Sequence, residues 1–202
     1  AAQRVRINLA SENLANAIVF AGDAGVDRIV YLGGLVPADA DSEHIVGELM
    51  KGFRMPRRLA DRSVGELAER FPKEGPLLAE KLQGALPAIS LVSQSSLCSA
   101  ISNDSGAEMV FAQQVYGYGT KGDVLLALST SGRAKNVLYS VITAKALGLI
   151  SIGLTGRSDS PVSELCDVTI RVPAEDTAEV QEHHTKVYHH LCAVLEAEFF
   201  EG

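Results

Sequence analysis

Residues Leu128-Ser129-Thr130-Ser131-Gly132-Arg133-Ala134-Lys135-Asn136 follow the apolar run Val124 to Leu128 and precede a helical pattern, so hydroxyls and backbone N–H groups gather where a strand hands over to a helix. The chemistry of that arrangement is anion binding. A helix N-terminus leaves N–H donors unpaired and carries about half a positive charge, so a phosphate gains charge-assisted hydrogen bonds there without an arginine clamp. Gly132 removes the Cβ that would obstruct the approach, and Ser129, Thr130 and Ser131 bring donors that rotate to suit. Ordinary N-capping of the helix by one of these hydroxyls explains the same cluster.

A second constellation combines imidazole, carboxylate and amide. His44 and Glu48 are four apart in a helical pattern and project from one face; Gln181 and His189 are eight apart, about two turns, in another. Two imidazoles and a carboxylate suit a divalent transition metal such as zinc, with substrate oxygens filling an open position. A surface His/Glu helix pair, and a solvated face over Gln181-Glu182-His183-His184 and His189-His190, are the alternative readings of the same spacing.

The elements that must position these residues are legible as apolar runs. Ile29 to Leu32, Ala88 to Val92, Val124 to Leu128, Ile150 to Leu154 and Val168 to Val172 read as buried strands, separated by helix-length segments at Ser42 to Phe53, Ala107 to Tyr116 and Asn136 to Leu147. That alternation predicts an α/β fold with a five-stranded parallel sheet, order 2-1-3-4-5, covered by helices on both faces. A weakly amphipathic helix over Val5 to Phe20 opens the chain, and a long one over Ala178 to Phe200 closes it. The apolar positions Val187, Leu191, Val194 and Leu195 of the last helix form a stripe that needs a partner. Residues 54–84 are richly charged and read as an excursion from a single domain over 1–202, with short helices at Ser63 to Arg70 and Pro76 to Lys81. In such sheets ligands sit beyond the carboxyl ends of the strands, which would set the loop Gly33 to Asp41 against Ser129 to Lys135.

Composition narrows the function classes. The 202 residues carry a net charge of −7 and no basic run longer than Arg57-Arg58, so neither nucleic acid nor an anionic membrane is an expected partner. No apolar stretch approaches the roughly 20 residues of a membrane span, and the first residues lack a charged-then-apolar leader pattern, which predicts a cytoplasmic protein. Cys98, Cys166 and Cys192 are too few and too scattered for a disulfide framework and read as buried spectators.

From Asp41 onward the chain resembles the phosphoheptose isomerase group of the sugar isomerase (SIS) superfamily. The resemblance runs through Asp41-Ser42-Glu43-His44-Ile45-Val46-Gly47-Glu48-Leu49, Leu86-Pro87-Ala88-Ile89, Ser102-Asn103-Asp104 and Gly122-Asp123-Val124-Leu125-Leu126. It continues through Ser129-Thr130-Ser131-Gly132 with Asn136-Val137, Leu154-Thr155-Gly156, Arg171-Val172-Pro173 and Asp176-Thr177-Ala178-Glu179-Val180-Gln181-Glu182. It implies a flavodoxin-like SIS domain, a homotetramer with active sites shared between subunits, and interconversion of sedoheptulose 7-phosphate with D-glycero-D-manno-heptose 7-phosphate, feeding heptose synthesis for lipopolysaccharide or another glycan. By the same resemblance His44, Glu48, Gln181 and His189 hold one zinc per subunit, and Glu48 and His189 are the catalytic pair. Asn103, Asp104, Ser129, Thr130, Ser131, Gly132, Lys135, Thr177 and Gln181 then bind substrate. Moving a carbonyl between C1 and C2 needs a base for a carbon-bound proton and an acid for an oxygen, which Glu48 and His189 fit as residue types.

Two departures fall on the phosphate side. The family has Gly-Asn-Gly-Gly-Ser after the first strand where this chain has Gly34-Leu35-Val36-Pro37-Ala38, and Arg133-Ala134 replaces an Asn-Ser pair after Gly132. Hydroxyl and N–H donors are lost at both places. Arg133 or Lys135 would supply charge instead, unless each is simply a surface cation beside a helix start. The alternative function is a non-catalytic sugar-phosphate sensor, or a relative of the SIS protein that associates with the bacterial replication initiator. That protein lacks the Glu and final His positions, both of which are present here as Glu48 and His189.

Overall fold

The computed structural model describes residues 5–8, 29–32 and 38–200. Its apolar runs are strands because both faces of the sheet are covered, which leaves no position for the alternating polar residues of a half-wet strand. All six residues of the fourth strand, Val124–Ser129, are buried. The strands are β1 (Val5–Asn8), β2 (Ile29–Leu32), β3 (Ala88–Ser90), β4 (Val124–Ser129), β5 (Ile150–Thr155) and β6 (Val168–Arg171). They pair in parallel in the order β1-β6-β5-β4-β2-β3.

Among the described residues the helices are α1 (Ala38–Met50), α2 (Asp61–Arg70), α3 (Gly75–Lys81), α4 (Ser95–Asp104), α5 (Val110–Tyr118), α6 (Lys135–Leu147), α7 (Pro161–Leu165) and α8 (Thr177–Phe200). Successive residues of β4 point to opposite faces and so divide the core in two. Leu126 and Leu128 join Ile45 and Leu49 of α1 and Val180, Val187 and Cys192 of α8. Leu125 and Ala127 join Ile101, Phe111, Val115, Val137 and Val141 on the other side. The α1 and α8 layer therefore lies on one face and α4 to α7 on the other.

Several expectations are corrected. The sheet has six strands rather than five, because Val5–Asn8, expected as the start of a helix, pairs with Val168–Arg171 at the edge. The rest of that expected helix lies outside the described residues, as does Gly33 to Pro37 of the loop read as facing Ser129. Ala38 to Asp41, expected in the same loop, is already the first turn of α1. Residues 95–104 and 161–165, which had no helix assigned, form α4 and α7. Three residues of the α8 stripe find partners within the chain, Val187 in the core and the half-buried Leu191 and Leu195 against it, while Val194 is half-buried outside that cluster. Cys166 and Cys192 are buried as expected, whereas Cys98 is half-buried and accepts a hydrogen bond from Gln114.

Candidate functional site

β4 and β5 end in register at Ser129 and Thr155, so the 129–135 loop stands at the carboxyl edge of the sheet. The chain turns there through Gly132 at φ +62°, where an added Cβ would collide with the Ser160 side chain. Ser129 is buried and its hydroxyl accepts from the Gly132 N–H at 3.0 Å, while the exposed Ser131 accepts from the Arg133 N–H at 3.3 Å. The N-cap of α6 is Ala134, and no side chain caps the helix. N-capping by the hydroxyls therefore does not account for the cluster, although within the first turn of α6 the Asn136 Oδ1 accepts from the Val137 N–H at 2.9 Å and so occupies one of the donors an anion would use. Lys135 is exposed at the first position of α6. Arg133, considered as a replacement cation, turns instead to donate to the Asp159 carbonyl at 3.1 Å. Asn103 and Asp104 are exposed at the end of α4, and the turn Ala107–Met109 that follows packs on α6.

The second site forms where α1 and α8 lie side by side. His44 Nε2 is 3.2 Å from Glu48 Oε1 and 3.4 Å from His189 Nε2, a contact between residues 145 apart in the chain. Lys51 Nζ lies 3.6 Å from the other oxygen of Glu48. The cluster is open to solvent on the His44 side, where the side chain is 45% exposed against 15% for Glu48. Aromatic contacts pack both rings: Phe53 stacks on His189 at 5.8 Å, and Tyr188 lies edge-on to His189 at 4.8 Å and tilted against His44 at 5.7 Å. Tyr188 donates its hydroxyl to Asp41 Oδ1 at 3.2 Å. Desolvation raises the Asp41 carboxyl above its ordinary value, opposed by the Tyr188 hydrogen bond and the two imidazoles. Burial likewise raises the Tyr188 phenol.

Two imidazole nitrogens and a carboxylate oxygen are the donor types zinc takes, and both measured separations lie near the roughly 3.3 Å edge of a tetrahedron of ligands about 2 Å from the ion. The set is not closed around a centre, since among the described residues no group of three or more His, Cys, Asp or Glu side chains is arranged to hold a metal. Nor is Gln181 brought to the other three. It lies about 12 Å from His189 along the axis of α8 at 1.5 Å per residue, and its carbonyl accepts from Thr185. Thr177 is exposed at the start of the same helix, beyond Gln181 from the histidines.

Asp41, Phe53 and Tyr188 were not singled out in the sequence. Asp41 precedes His44 by three positions, so helical neighbourhood marks it, whereas Tyr188 is next to His189 and adjacent positions of a helix do not face each other. Phe53 lies beyond the end of α1 and had no local signal. A further buried histidine, His184, points under the carboxyl edge: one ring nitrogen donates to the Thr155 carbonyl, Nε2 has no protein partner, and burial pushes the imidazole down to about 4.

Comparison with known proteins agrees with this geometry. The SIS domain family matches residues 93–199. The phosphoheptose isomerase of Geotalea daltonii is 35% identical over 191 residues, covering 94% of this chain and 86% of the relative. Phosphoheptose isomerase 2 of Campylobacter jejuni is 40% identical over 141 residues, covering 70% of this chain and 66% of its own. Among solved structures, a phosphoheptose isomerase from Neisseria gonorrhoeae superposes with a TM-score of 0.68 at 26% identity, covering 91% of this chain and 87% of that one. Taken with the parallel sheet and the α1 and α8 cluster, these likenesses show that the chain belongs to the SIS domain family, among the phosphoheptose isomerases.

Proposed function

We propose that this protein is an aldose–ketose isomerase that interconverts sedoheptulose 7-phosphate and D-glycero-D-manno-heptose 7-phosphate. The observation that carries the reading is the meeting of His44, Glu48 and His189 from two helices far apart in sequence, in a chain of this family. Glu48 takes the carbon-bound proton at C1 and returns it at C2, while His189 protonates and deprotonates the neighbouring oxygens. Such acid–base assistance contributes typically about 10²–10⁴-fold. His44, Glu48 and His189 would hold a zinc ion that polarises the substrate oxygens and stabilises the negative charge developing between them, and Gln181 would serve as a further donor only from a neighbouring copy of the chain. Ser129, Thr130, Ser131 and Gly132, with the N-terminus of α6 and Lys135, would hold the phosphate. Asn103, Asp104, Thr177 and Gln181 would bind the sugar. In this reading the chain forms one SIS domain, assembles as a homotetramer and works in the cytoplasm.

The test is incubation of the zinc-loaded protein with sedoheptulose 7-phosphate, followed by proton NMR. The aldose should appear, and Glu48→Gln should abolish its formation while leaving phosphate-dependent binding in place. Binding without turnover in the parent protein would overturn the isomerase reading and favour a sugar-phosphate sensor. Metal analysis after zinc dialysis should give one ion per chain, and less in His44→Ala and His189→Ala; equal stoichiometry in all three would remove the metal assignment.

A further inference from the structure

Behind the histidine cluster lies a fully buried ion pair, and we infer that Arg57 and Glu196 are positioning residues that hold Glu48 and His189 in register for proton transfer. Their side chains are 0% and 2% exposed, with Arg57 Nε donating to Glu196 Oε1 at 2.8 Å. The guanidinium reaches back with its remaining nitrogens to the end of α1: Nη1 donates to the Leu49 carbonyl at 2.6 Å and Nη2 to the Glu48 carbonyl at 2.9 Å. These carbonyls belong to the last turn of α1, where the helix supplies no partner of its own and a cation is favoured. The backbone that carries the Glu48 carboxylate is thereby tied to a side chain from outside its helix.

The carboxylate acts on the other half of the site. Glu196 lies seven residues beyond His189 on α8, about two turns, and so on the same side of the helix. Its Oε1 and Oε2 accept from the Phe53 and Arg54 N–H groups, each at 2.7 Å. The Phe53 so fixed is the residue whose ring stacks on His189. Phe200 covers the outer face of the guanidinium at 4.7 Å. One buried pair thus joins the backbone of the residue read as base to the ring that packs the residue read as acid. Burial works against the Glu196 charge, but the two N–H groups and Arg57 outweigh it and hold the carboxyl below its ordinary value.

A buried ion pair is weak evidence for stability, since apolar residues of similar volume often replace it without loss. Placement matters more, because about 1 Å of misplacement in a reacting group can cost about 10²-fold in rate. This role rests on the isomerase reading above, so the experiment separates the two. The double variant Arg57→Met/Glu196→Leu refills the space without the bonds to Glu48, Leu49, Phe53 and Arg54. It should melt below the parent protein, because the Phe53 and Arg54 N–H groups and the two carbonyls lose their partners, and, assayed where it is folded, should keep KM within about threefold and lose kcat by about tenfold or more. Arg57→Lys, which can meet Glu196 but cannot span both carbonyls, should recover only part of kcat. Should the double variant fail to fold, Glu196→Gln provides the milder comparison and should still lower kcat more than it raises KM. Imidazole nitrogen–proton NMR of His44 and His189 supplies a readout independent of turnover, and both rings should shift in the variants. Parental kcat with unchanged imidazole signals would overturn the positioning role. If the parent protein itself shows no turnover, the isomerase reading fails, and the imidazole signals alone decide whether the pair positions the cluster.

Discussion

The Ser129 and Ser131 hydroxyls carry different shares of the work. Ser129 is buried and accepts from the Gly132 N–H, so its hydroxyl shapes the loop, whereas Ser131 is exposed and open to a ligand on one side. A hydrogen bond to a charged group contributes roughly 1.5–3 kcal/mol, so Ser131→Ala should weaken sugar-phosphate binding by about tenfold or more with little change in melting temperature. Ser129→Ala should lower both, because it leaves the buried Gly132 N–H only its longer bond to the residue 129 carbonyl, at 3.2 Å. Calorimetric titration with thermal melts distinguishes them, and a Ser131→Ala protein with parental affinity that loses it on Lys135→Ala would assign the phosphate to side-chain charge. His184 leads to a pH prediction. An imidazole held near 4 when folded and near 6.5 when unfolded binds fewer protons in the native state, so its contribution is complete above pH 6.5 and is lost as pH falls toward 4. Between pH 7.5 and 5 that amounts to about 2 kcal/mol. Urea unfolding should show it, and His184→Gln should flatten the slope in this window; equal slopes would contradict the buried neutral state. His44 and Glu48 were visible in the sequence because helical spacing joins them locally. Arg57 and Glu196 were not, since they are 139 positions apart and an arginine in a charged stretch reads as solvated.

Among the elements, the central strands were the most legible and the edge the least. Val124–Ser129 is covered on both faces, so continuous apolar sequence marks it without reference to its neighbours. Val5–Asn8 has the alternation Val-Arg-Ile-Asn, too short to distinguish from one face of a helix, and its partner strand begins at Val168. Helix α4 was missed because Ser95–Asp104 buries only Ile101 and carries no apolar stripe. Gly132 belongs to this scale because its conformation sets the angle between β4 and α6. An alanine there must occupy φ +62° and displace Ser160, whose hydroxyl is the N-cap of α7. Left-handed backbone costs a side chain roughly 1–2 kcal/mol before the collision is counted. Gly132→Ala should therefore lower the melting temperature and abolish sugar-phosphate binding. A variant that binds normally would show that the loop is not the phosphate site.

The whole molecule presents large apolar side chains that its own core does not cover. Phe71, Leu77, Leu78 and Leu82 emerge from the charged excursion, Met50 and Phe199 from the ends of α1 and α8, and Tyr116 and Ile142 from α5 and α6. Single exposed apolar residues are ordinary, but groups of them on several faces suit burial against further copies of the chain. No helix among the described residues is long and apolar enough to cross a membrane, so a bilayer-spanning role for those helices does not explain them. Sedimentation at micromolar concentration should give four times the chain mass of 21.4 kDa. A shared active site makes a sharper demand than mass alone. His44, Glu48 and His189 come from one chain, so sharing would draw the phosphate loop or Gln181 from a neighbour. If it does, Glu48→Gln and Gly132→Ala subunits, each inactive alone, should recover about a quarter of parental activity when unfolded together and reassembled, because random pairing restores one intact site in four. Mixtures that stay inactive while sedimenting as tetramers would place every element of the site within a single chain, and the distance from Gln181 to His189 along α8 would then exclude the amide from the metal set.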